Sequence, residues 1–405
     1  MVASHWRDRT LGELLEIKHG FAFKGEFFSD AGSFVLLTPG NFRENGGLKL
    51  KGDKEKFYLG DYPPEFLLKR GDLLVAMTDL TQQAPILGSP AFIPVDGCFL
   101  HNQRLGKFIN VDQTELTYEF LFYLMNTNSV RGQILGSATG STVRHTSPSR
   151  IYNVNVQLPP LPVQHRISGI LSAYDELIEN NERRIEILEA MARAIYQEAV
   201  QAGPSAAELK PLVNCSYWRF ISENVSAYIG TKRYFATADV DGLAITGPGI
   251  DYPFSEKPSR AQKQPIPNSV WFARMKDTYK IAWYEAADEE RASSTMLSSG
   301  FAGFEAVDAE LWPLLFLALS SKEFHVQKDL YCTGATQMAL TNEGLARVEL
   351  AMPDEAGARA LGRATQPILR EMLLLQRKSE NLRRTRDLLL PRLLSGELDV
   401  EASAA

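Results

Sequence analysis

The sequence predicts an α+β protein in which two mixed α/β domains are separated by two long helices that pair as an antiparallel coiled coil, with an internal pseudo-two-fold repeat. Three observations support this. Helix-compatible sequence runs from Val163 to about Ala202 and includes IENNERRIEILE (Ile178–Glu189), which has no Gly or Pro. A similar stretch, LLLQRKSENLRRTRDLLLPRLLSG, occurs at residues 373–396. Turn-rich sequence with short strand patterns precedes each stretch.

The two long stretches and the segments before them can be superimposed. An offset of 194 residues makes similar residues coincide, namely Gly140-Ser141-Thr142 with Gly334-Ala335-Thr336, Val154 with Val348, and Leu158-Pro159 with Met352-Pro353. An offset of 197 places the apolar strand Leu74–Met77 on Trp271–Arg274. The same order of strand, glycine turn, proline and long helix therefore occurs twice. We predict five segments: a first α/β domain (1–160), a first long helix (161–203), a second α/β domain (204–352), a second long helix (353–396) and a tail (397–405).

Apolar residues recur along both helices in alternating steps of three and four, which is typical of a coiled-coil seam. Thr365, Ser379 and Arg386 interrupt the second seam, and we interpret Asn181 as a polar residue that fixes the register of the first. A helix of about forty residues is a rod of roughly 60 Å, and with one apolar stripe it needs a partner, which we expect to be the other helix. The candidate residues for helix pairing and for partner docking are Leu171, Tyr174, Ile178, Asn181, Ile185, Leu188, Ile368, Met372, Leu375, Leu382 and Leu389.

The sequence offers no catalytic or metal-binding motif. A P-loop, H-E-x-x-H, G-x-S-x-G and Asn-Pro-Pro-aromatic motif are all missing, and the six histidines do not cluster. We therefore predict no catalytic residue and no metal site. The three cysteines are scattered, and the longest apolar run, Leu311–Leu319, is too short to span a bilayer. These features favour a cytoplasmic protein that does not contact a membrane.

Polar loops suited to DNA recognition occur in both halves. Hydroxyls and backbone amides at a glycine turn suit phosphate oxygens, while Arg, Gln and Asn side chains reach base edges. The alternative interpretation is that these segments are solvated loops or structural turns without a binding role. The net charge of −6 requires local contacts or a more basic partner. The candidate DNA-binding residues are Asn41, Arg43, Thr78, Gln82, Gln83, Arg104, Ser141, Thr142, Arg144, Thr231, Lys232, Arg233, Arg274, Lys276, Lys280, Thr336 and Gln337.

Three stretches resemble the specificity (S) subunits of type I restriction–modification enzymes. TLGELLEIKHGFAFKGEFF is similar to the start of the family's first target recognition domain. NVQLPPLPVQHRISGILSAYDELIENNERRIEILEAMARAIYQE is similar to its central conserved region, and LLLPRLLSGELDV to its C-terminal conserved region. The second helix departs from the family pattern because AMPDEAGARALG (Ala351–Gly362) stands in place of a proline-rich start.

The resemblance implies a non-catalytic subunit that binds double-stranded DNA. Each target recognition domain would read one half of a bipartite, asymmetric sequence, and the helices would act as a spacer that docks two methyltransferase (M) subunits. S-adenosylmethionine would be bound by those M subunits, and ATP and Mg by the restriction (R) subunits, so this chain would hold no cofactor. Two alternatives remain open at this point: a coiled-coil adaptor between two protein-binding domains, and a nuclease whose acidic cluster is invisible in linear sequence.

Overall fold

A computed structural model describes residues 6–201, 207–335, 337–398 and Val400. The chain divides into two compact units: unit 1 comprises Met1–Ile178 and Asn381–Ala405, and unit 2 comprises Glu179–Glu380. Each unit therefore holds one α/β region and a part of both long helices. The predicted end of the first helix at residue 203 and most of the predicted tail lie outside the described residues.

In unit 1 most strands precede the second helix, and two short strands and the remaining helices follow before the end of the first long helix. The helices are α1 (Leu11–Leu14), α2 (Tyr118–Met125), α3 (Asn128–Ser137), α4 (Pro148–Tyr152) and the long α5 (Leu161–Gln201), whose later part enters unit 2. The strands are β1 (Arg7–Thr10), β2 (Glu16–His19), β3 (Phe28–Ser29), β4 (Val35–Leu36), β5 (Phe57–Tyr58), β6 (Leu73–Ala76), β7 (Thr78–Asp79), β8 (Pro90–Phe92), β9 (Phe99–Leu100), β10 (Leu105–Ile109), β11 (Arg144–His145) and β12 (Asn155–Leu158).

Unit 2 follows the same plan. Its helices are α6 (Glu289–Ser293), α7 (Trp312–Ser320), α8 (Lys322–Leu330), α9 (Asn342–Leu345) and the long α10 (Glu355–Leu394), whose end belongs to unit 1. Its strands are β13 (Ala207–Pro211), β14 (Trp218–Phe220), β15 (Thr231–Phe235), β16 (Val240–Asp241), β17 (Ala244–Ile245), β18 (Ile250–Pro253), β19 (Ala261–Lys263), β20 (Ser269–Ala273), β21 (Ile281–Tyr284), β22 (Thr295–Ser298), β23 (Phe301–Ala306), β24 (Cys332–Thr333), β25 (Ala339–Leu340) and β26 (Glu349–Pro353).

The internal repeat is confirmed by the sheet topology. Each unit has a four-stranded antiparallel sheet with the same connectivity, β2-β10-β6-β8 in unit 1 and β14-β23-β20-β21 in unit 2. A second four-stranded sheet in each contains one parallel pair, β4 with β9 and β15 with β22. In both units the first strand pairs antiparallel with the strand just before a long helix, β1 with β12 and β13 with β26.

The central strand of each main sheet is buried on both faces. In β6, Leu73 and Val75 pack into one hydrophobic cluster, while Leu74 and Ala76 pack into another on the opposite face. Strand β20 repeats this division, with Val270 and Phe272 on one side and Trp271 and Ala273 on the other. Since side chains alternate along a strand, a continuous apolar run is the pattern that two-sided burial requires. The predicted offset of 197 residues is confirmed by this correspondence.

A buried glutamine lies in the first turn of helix α5. Gln164 is fully buried, and its Nε2 donates to Pro159 O at 2.9 Å and to Glu115 O at 2.6 Å, while its Oε1 accepts from Thr117 N at 3.0 Å. The side chain thus satisfies a carbonyl of the proline turn and joins the helix to the segment before α2. Helix α10 begins differently, since Asp354 Oδ1 accepts from Gly357 N at 2.8 Å, as an N-cap does.

The antiparallel coiled coil is confirmed within each unit. In unit 1, the early part of α5 (Ile167 and Leu171) and the late part of α10 (Leu393 and Leu394) share one hydrophobic cluster. In unit 2, the late part of α5 and the early part of α10 pack together, and Arg184 forms an ion pair with Glu371 at 2.8 Å. Early residues of one helix thus meet late residues of the other in both units. No helix among the described residues is long and apolar enough to cross a membrane.

The glycine turn predicted twice from the sequence has the same conformation in both units. Gly140 has φ +93° and Gly334 has φ +131°, a region that side-chain-bearing residues rarely adopt. A Cβ at Gly140 would lie 1.9 Å from Val143 O, and a Cβ at Gly334 would lie 2.5 Å from Gln337 O. The two glycines are therefore required by both the backbone conformation and the close carbonyl.

We expect Gly140→Ala to destabilise unit 1 by about 2 kcal/mol or more, because the new methyl group meets a carbonyl oxygen in a strained conformation. The matched control is Gly132→Ala in helix α3, where a Cβ meets nothing within 4 Å. That control should be neutral or stabilising by up to about 1 kcal/mol. Equilibrium urea unfolding of both variants measures the difference, and equal stabilities would contradict the assignment.

His101 makes unit 1 sensitive to acid. The ring is 1% exposed and its Nε2 lies 3.0 Å from Leu105 O, and burial lowers the pKa of His101 to about 4. In the unfolded chain the imidazole takes up a proton near pH 6.5, whereas folding disfavours the protonated ring. Stability from this group is therefore fully present above pH 6.5 and falls by up to about 3 kcal/mol as the pH drops to 4.

His101→Gln should remove this part of the pH dependence, because the amide can still donate to Leu105 O but does not titrate. Hydrogen exchange of peptides that cover β9 and β10, measured between pH 7 and pH 4.5, would report the local stability. The wild-type protein should lose more protection than the variant across this range. Parallel losses in the two proteins would show that another group is responsible.

Candidate nucleic-acid interface

Two adjacent segments of unit 1 bring several of the predicted DNA-binding residues together. Strand β7 pairs antiparallel with β11, so that Thr78 lies opposite His145 and Asp79 opposite Arg144. The segment after β7, which we call loop 1 (Leu80–Gly88), therefore lies beside the glycine turn, which we call hairpin 1 (Thr139–His145). The Thr78 hydroxyl also lies 3.0 Å from His145 Nδ1, which ties the two segments together.

Unit 2 repeats this arrangement. The segment after the central strand, loop 2 (Arg274–Lys280), lies beside hairpin 2 (Cys332–Leu340), because Met275 pairs with Ala339 across an antiparallel bridge. Two backbone hydrogen bonds flank this bridge, from Lys276 N to Met338 O at 3.0 Å and from Leu340 N to Arg274 O at 2.8 Å. Each unit thus presents a loop and a hairpin joined edge to edge.

A buried carboxylate shapes loop 1. Asp79 is 2% exposed, and its Oδ1 accepts from the backbone amide and the hydroxyl of Thr81, each at 2.8 Å. Its Oδ2 accepts from Ile86 N at 2.8 Å. The carboxylate therefore holds both ends of a tight loop whose tip carries the exposed residues Gln82 and Gln83.

Hairpin 1 presents hydroxyls to solvent. Ser141 and Thr142 are exposed, whereas Arg144 is half-buried and its Nη1 donates to Gly140 O at 3.0 Å. The side chains of Gln82, Gln83, Ser141 and Thr142 are therefore the candidates in unit 1 that are both neighbours in the fold and open to a ligand. Arg144 instead stabilises the conformation of the hairpin.

Most of the predicted cations of unit 2 are engaged within the protein. Arg274 Nη1 donates to Leu340 O at 2.9 Å and Nη2 to Asn342 Oδ1 at 2.7 Å, and burial lowers the pKa of Arg274. Lys280 Nζ donates to Thr237 O at 2.8 Å and Val240 O at 2.7 Å. Lys276 is half-buried and Gln337 is exposed, so these two remain accessible. Thr336 lies outside the described residues.

The remaining candidates of unit 1 fall into two groups. Asn41 is 1% exposed, and its side chain donates to Glu55 Oε2 at 2.9 Å and accepts from Lys51 Nζ at 2.9 Å. Its amide thus serves a buried network, and in this conformation it is not available to a base. Arg43 and Arg104 are exposed. Arg104 O accepts from Met77 N at 3.0 Å, which places this residue beside the start of β7.

Thr231, Lys232 and Arg233 lie on β15, in the second sheet of unit 2 rather than at the loop and hairpin. Thr231 is exposed. Lys232 Nζ donates to Gln264 Oε1 at 2.6 Å and lies 4.9 Å from the centre of the Tyr228 ring. Arg233 forms a two-bond ion pair with Asp251, each bond 2.8 Å long. Two of these three side chains therefore already have strong partners.

The predicted docking residues on the helices are mostly inside the helix pair. Leu171, Ile178, Met372 and Leu375 are buried, while the others are half-buried, namely Tyr174, Asn181, Ile185, Leu188, Ile368, Leu382 and Leu389. Two of the three polar interruptions of the second seam have partners, whereas the buried Ser379 hydroxyl has none among the described residues. Thr365 Oγ1 donates to Leu361 O at 2.8 Å, and Arg386 pairs with Asp175, whose other oxygen accepts from Tyr123 at 2.7 Å. These residues therefore hold each helix pair together.

The sequence did not distinguish the seam from the outward faces of the helices. Exposed apolar side chains occur on α5 at Leu177, Ile187 and Met191, with exposed fractions of 50% or more. On α10, Leu374 and Leu388 are similarly open. They could have been identified as apolar residues that do not fit the three-four spacing, because that spacing accounts only for the seam.

The described residues contain no group of three or more His, Cys, Asp or Glu side chains that could hold a metal ion. Helix α3 contributes the half-buried Arg131 and helix α8 the fully buried Lys328, two cations that sequence patterns did not single out. Both side chains bind backbone carbonyls of the neighbouring loops, Arg131 that of Pro85 and Lys328 that of Met275. Nothing in the local sequence signals these contacts, because they join segments about fifty residues apart.

Comparisons with known proteins show which proteins this chain is similar to. The family described as type I restriction modification DNA specificity domain matches residues 3–190. The type I restriction enzyme MjaIX specificity subunit of Methanocaldococcus jannaschii is 32% identical over 79 residues, which cover 20% of this chain and 18% of that protein. The EcoBI specificity subunit of Escherichia coli is 25% identical over 199 residues, covering 48% of this chain and 38% of that protein. The matched segments thus span less than half of either relative.

A solved structure has the same fold over nearly the whole length. The crystal structure of a type I restriction–modification S subunit from M. genitalium matches with a TM-score of 0.56 and 16% identity, covering 96% of each chain. The resemblance drawn from the sequence is therefore confirmed. Residues 3–190 of this chain match the family described as type I restriction modification DNA specificity domain.

Proposed function

We propose that this chain is the DNA specificity subunit of a type I restriction–modification enzyme, with each unit reading one half of a bipartite, asymmetric target. The observation that carries the proposal is the duplication of the loop and hairpin: both units present the same paired segments at the same end of equivalent sheets. A protein with two copies of one reading surface is suited to two half-sites. The surface carries hydroxyl, amide and backbone groups, which bind phosphates and base edges.

In this proposal the chain recognises DNA and catalyses no reaction itself. Methylation of adenine would use S-adenosylmethionine on the methyltransferase subunits, and cleavage would use ATP and Mg on the restriction subunits. The modest charge fits this division. With several candidate cations tied to internal carbonyls and carboxylates, much of the electrostatic attraction to DNA would come from the partner subunits.

The long helices would act as the spacer between half-sites and as the docking surface for two methyltransferase subunits. Because the seam residues are used within the helix pairs, the outward apolar residues are the better candidates for docking. Ile187 is 55% exposed and Met191 is 50% exposed, one turn apart on α5. Side chains of this size lose unfavourable contact with water when a partner covers them.

The experiment that tests the proposed function is to express the chain with its methyltransferase subunit in a host that lacks adenine methylation. Single-molecule sequencing of the host genome then maps methylated adenines. We expect a split motif, two specific parts separated by a fixed unspecified spacer, that vanishes when this gene is omitted. If methylation does not depend on this gene, the specificity function is refuted and an adaptor without DNA recognition becomes the better explanation.

The docking surface has its own test. We expect Ile187→Glu combined with Met191→Glu to weaken binding of the methyltransferase subunit by at least about tenfold, because two carboxylates would be buried against an apolar surface. Pull-down and sizing of the co-expressed complex measure the loss. Gln197→Glu, which adds a carboxylate at another exposed position of α5, is the matched control. Unimpaired assembly of the double variant would exclude this face as the docking surface.

A further inference from the structure

Each loop of the candidate interface is bound by one cation on the helix that precedes the hairpin, and this cation is half-buried in unit 1 and fully buried in unit 2. In unit 1, Arg131 of α3 donates from Nη2 to Pro85 O in loop 1. In unit 2, Lys328 of α8 donates from Nζ to Met275 O at 2.8 Å and to Thr278 O at 2.9 Å in loop 2. The helices α3 and α8 occupy equivalent places in the repeat, yet the two residues differ in type.

The burial of these cations indicates a specific role. Lys328 is fully buried, and the charge is balanced by Asp329 at 3.0 Å. Burial lowers the pKa of Arg131 to about 10, so the guanidinium stays charged at neutral pH. A buried charge without good partners costs several kcal/mol. Two such charges, each placed on the carbonyls of an equivalent loop, stabilise one conformation of that loop.

The surroundings of Arg131 show how much loop 1 depends on this contact. A cleft of about 360 Å³ is lined by Gln83 and Pro85 of the loop, by Asn126 and by Arg131. Arg131 Nη1 and Asn126 Oδ1 are buried there with no hydrogen-bond partner among the described residues. Unpartnered buried polar atoms cost free energy and are concentrated where a conformation is maintained for function.

We propose that Arg131 and Lys328 are positioning residues for DNA specificity: each fixes the loop of its own unit and so decides how strictly one half of the target is read. The inference rests on the proposed function. Neither side chain touches DNA. Arg131 acts through the exposed tip of loop 1, Gln82 and Gln83, and Lys328 acts through Met275 and Lys276 of loop 2. A specific side-chain contact discriminates between bases by about 5- to 150-fold, and only when its loop is held in place.

The test uses the full chain co-expressed with its methyltransferase subunit, with methylated motifs mapped as above for Arg131→Met and Lys328→Met. Methionine keeps an unbranched stem and removes the charge. We expect Arg131→Met to relax the sequence requirement in one half of the motif only, with discrimination at its base pairs falling from about 5- to 150-fold towards equality. Lys328→Met should relax the other half. The spacer length and the unaffected half should not change.

The controls separate positioning from general damage. Lys322→Met removes an exposed cation from the same helix as Lys328 and should leave the motif intact. A merely structural role would lower methylation uniformly at an unchanged motif, and that result for both variants would overturn the inference. If Arg131→Met abolishes methylation, Arg131→Lys decides, since it keeps one donor for Pro85: methylation restored at the unaltered motif supports the inference, and a loss as complete as in Arg131→Met refutes it. A wild-type chain that produces no motif would instead refute the proposed function.

Discussion

The burial of the helix seams is the constraint on which the rest of the structure depends. A helix of forty residues with a single apolar stripe exposes that stripe unless a partner covers it, and each buried Leu or Ile contributes about 1.5–3 kcal/mol when it is covered. In each unit, the early part of one long helix covers the late part of the other. Two polar residues at the seam have partners there, since Thr365 bonds to backbone and Arg386 pairs with a carboxylate. The two α/β regions are thereby each joined to a helix pair.

Within each unit the sheet serves as a base for the loop and the hairpin. The central strand is buried on both faces, and its continuation pairs with the glycine hairpin. Side chains on loops are positioned by the rigid sheet from which the loops extend. Asp79, Arg131 and Lys328 extend this positioning into the loops themselves, since each holds loop backbone through charge-assisted hydrogen bonds. In the proposed function, recognition would therefore depend as much on residues that shape the loops as on those at their tips.

The predicted repeat and the two long helices could be read from the sequence because they depend on periodicity and on local chemistry. The offset between the halves places Gly140 on Gly334, and both glycines have positive φ against a carbonyl oxygen. The candidate site was only partly predictable. Gln82, Gln83, Ser141 and Thr142 are exposed where expected, whereas Asn41, Arg274 and Lys280 bind other parts of the same chain. The sequence alone does not show whether an Arg or Lys in a loop faces solvent or binds a buried carbonyl.

By itself, the sequence determined that this protein is a duplicated α/β fold with two paired helices, because turn residues and apolar spacing act over short distances and are written in order along the chain. Only the tertiary structure decided which polar side chains remain available to a ligand. That outcome depends on contacts between segments far apart in sequence, such as Arg131 with Pro85 and Lys328 with Thr278. It also decided which apolar helix residues face outward, since Ile187 and Ile185 differ in exposure through the position of the partner helix and not through their chemistry.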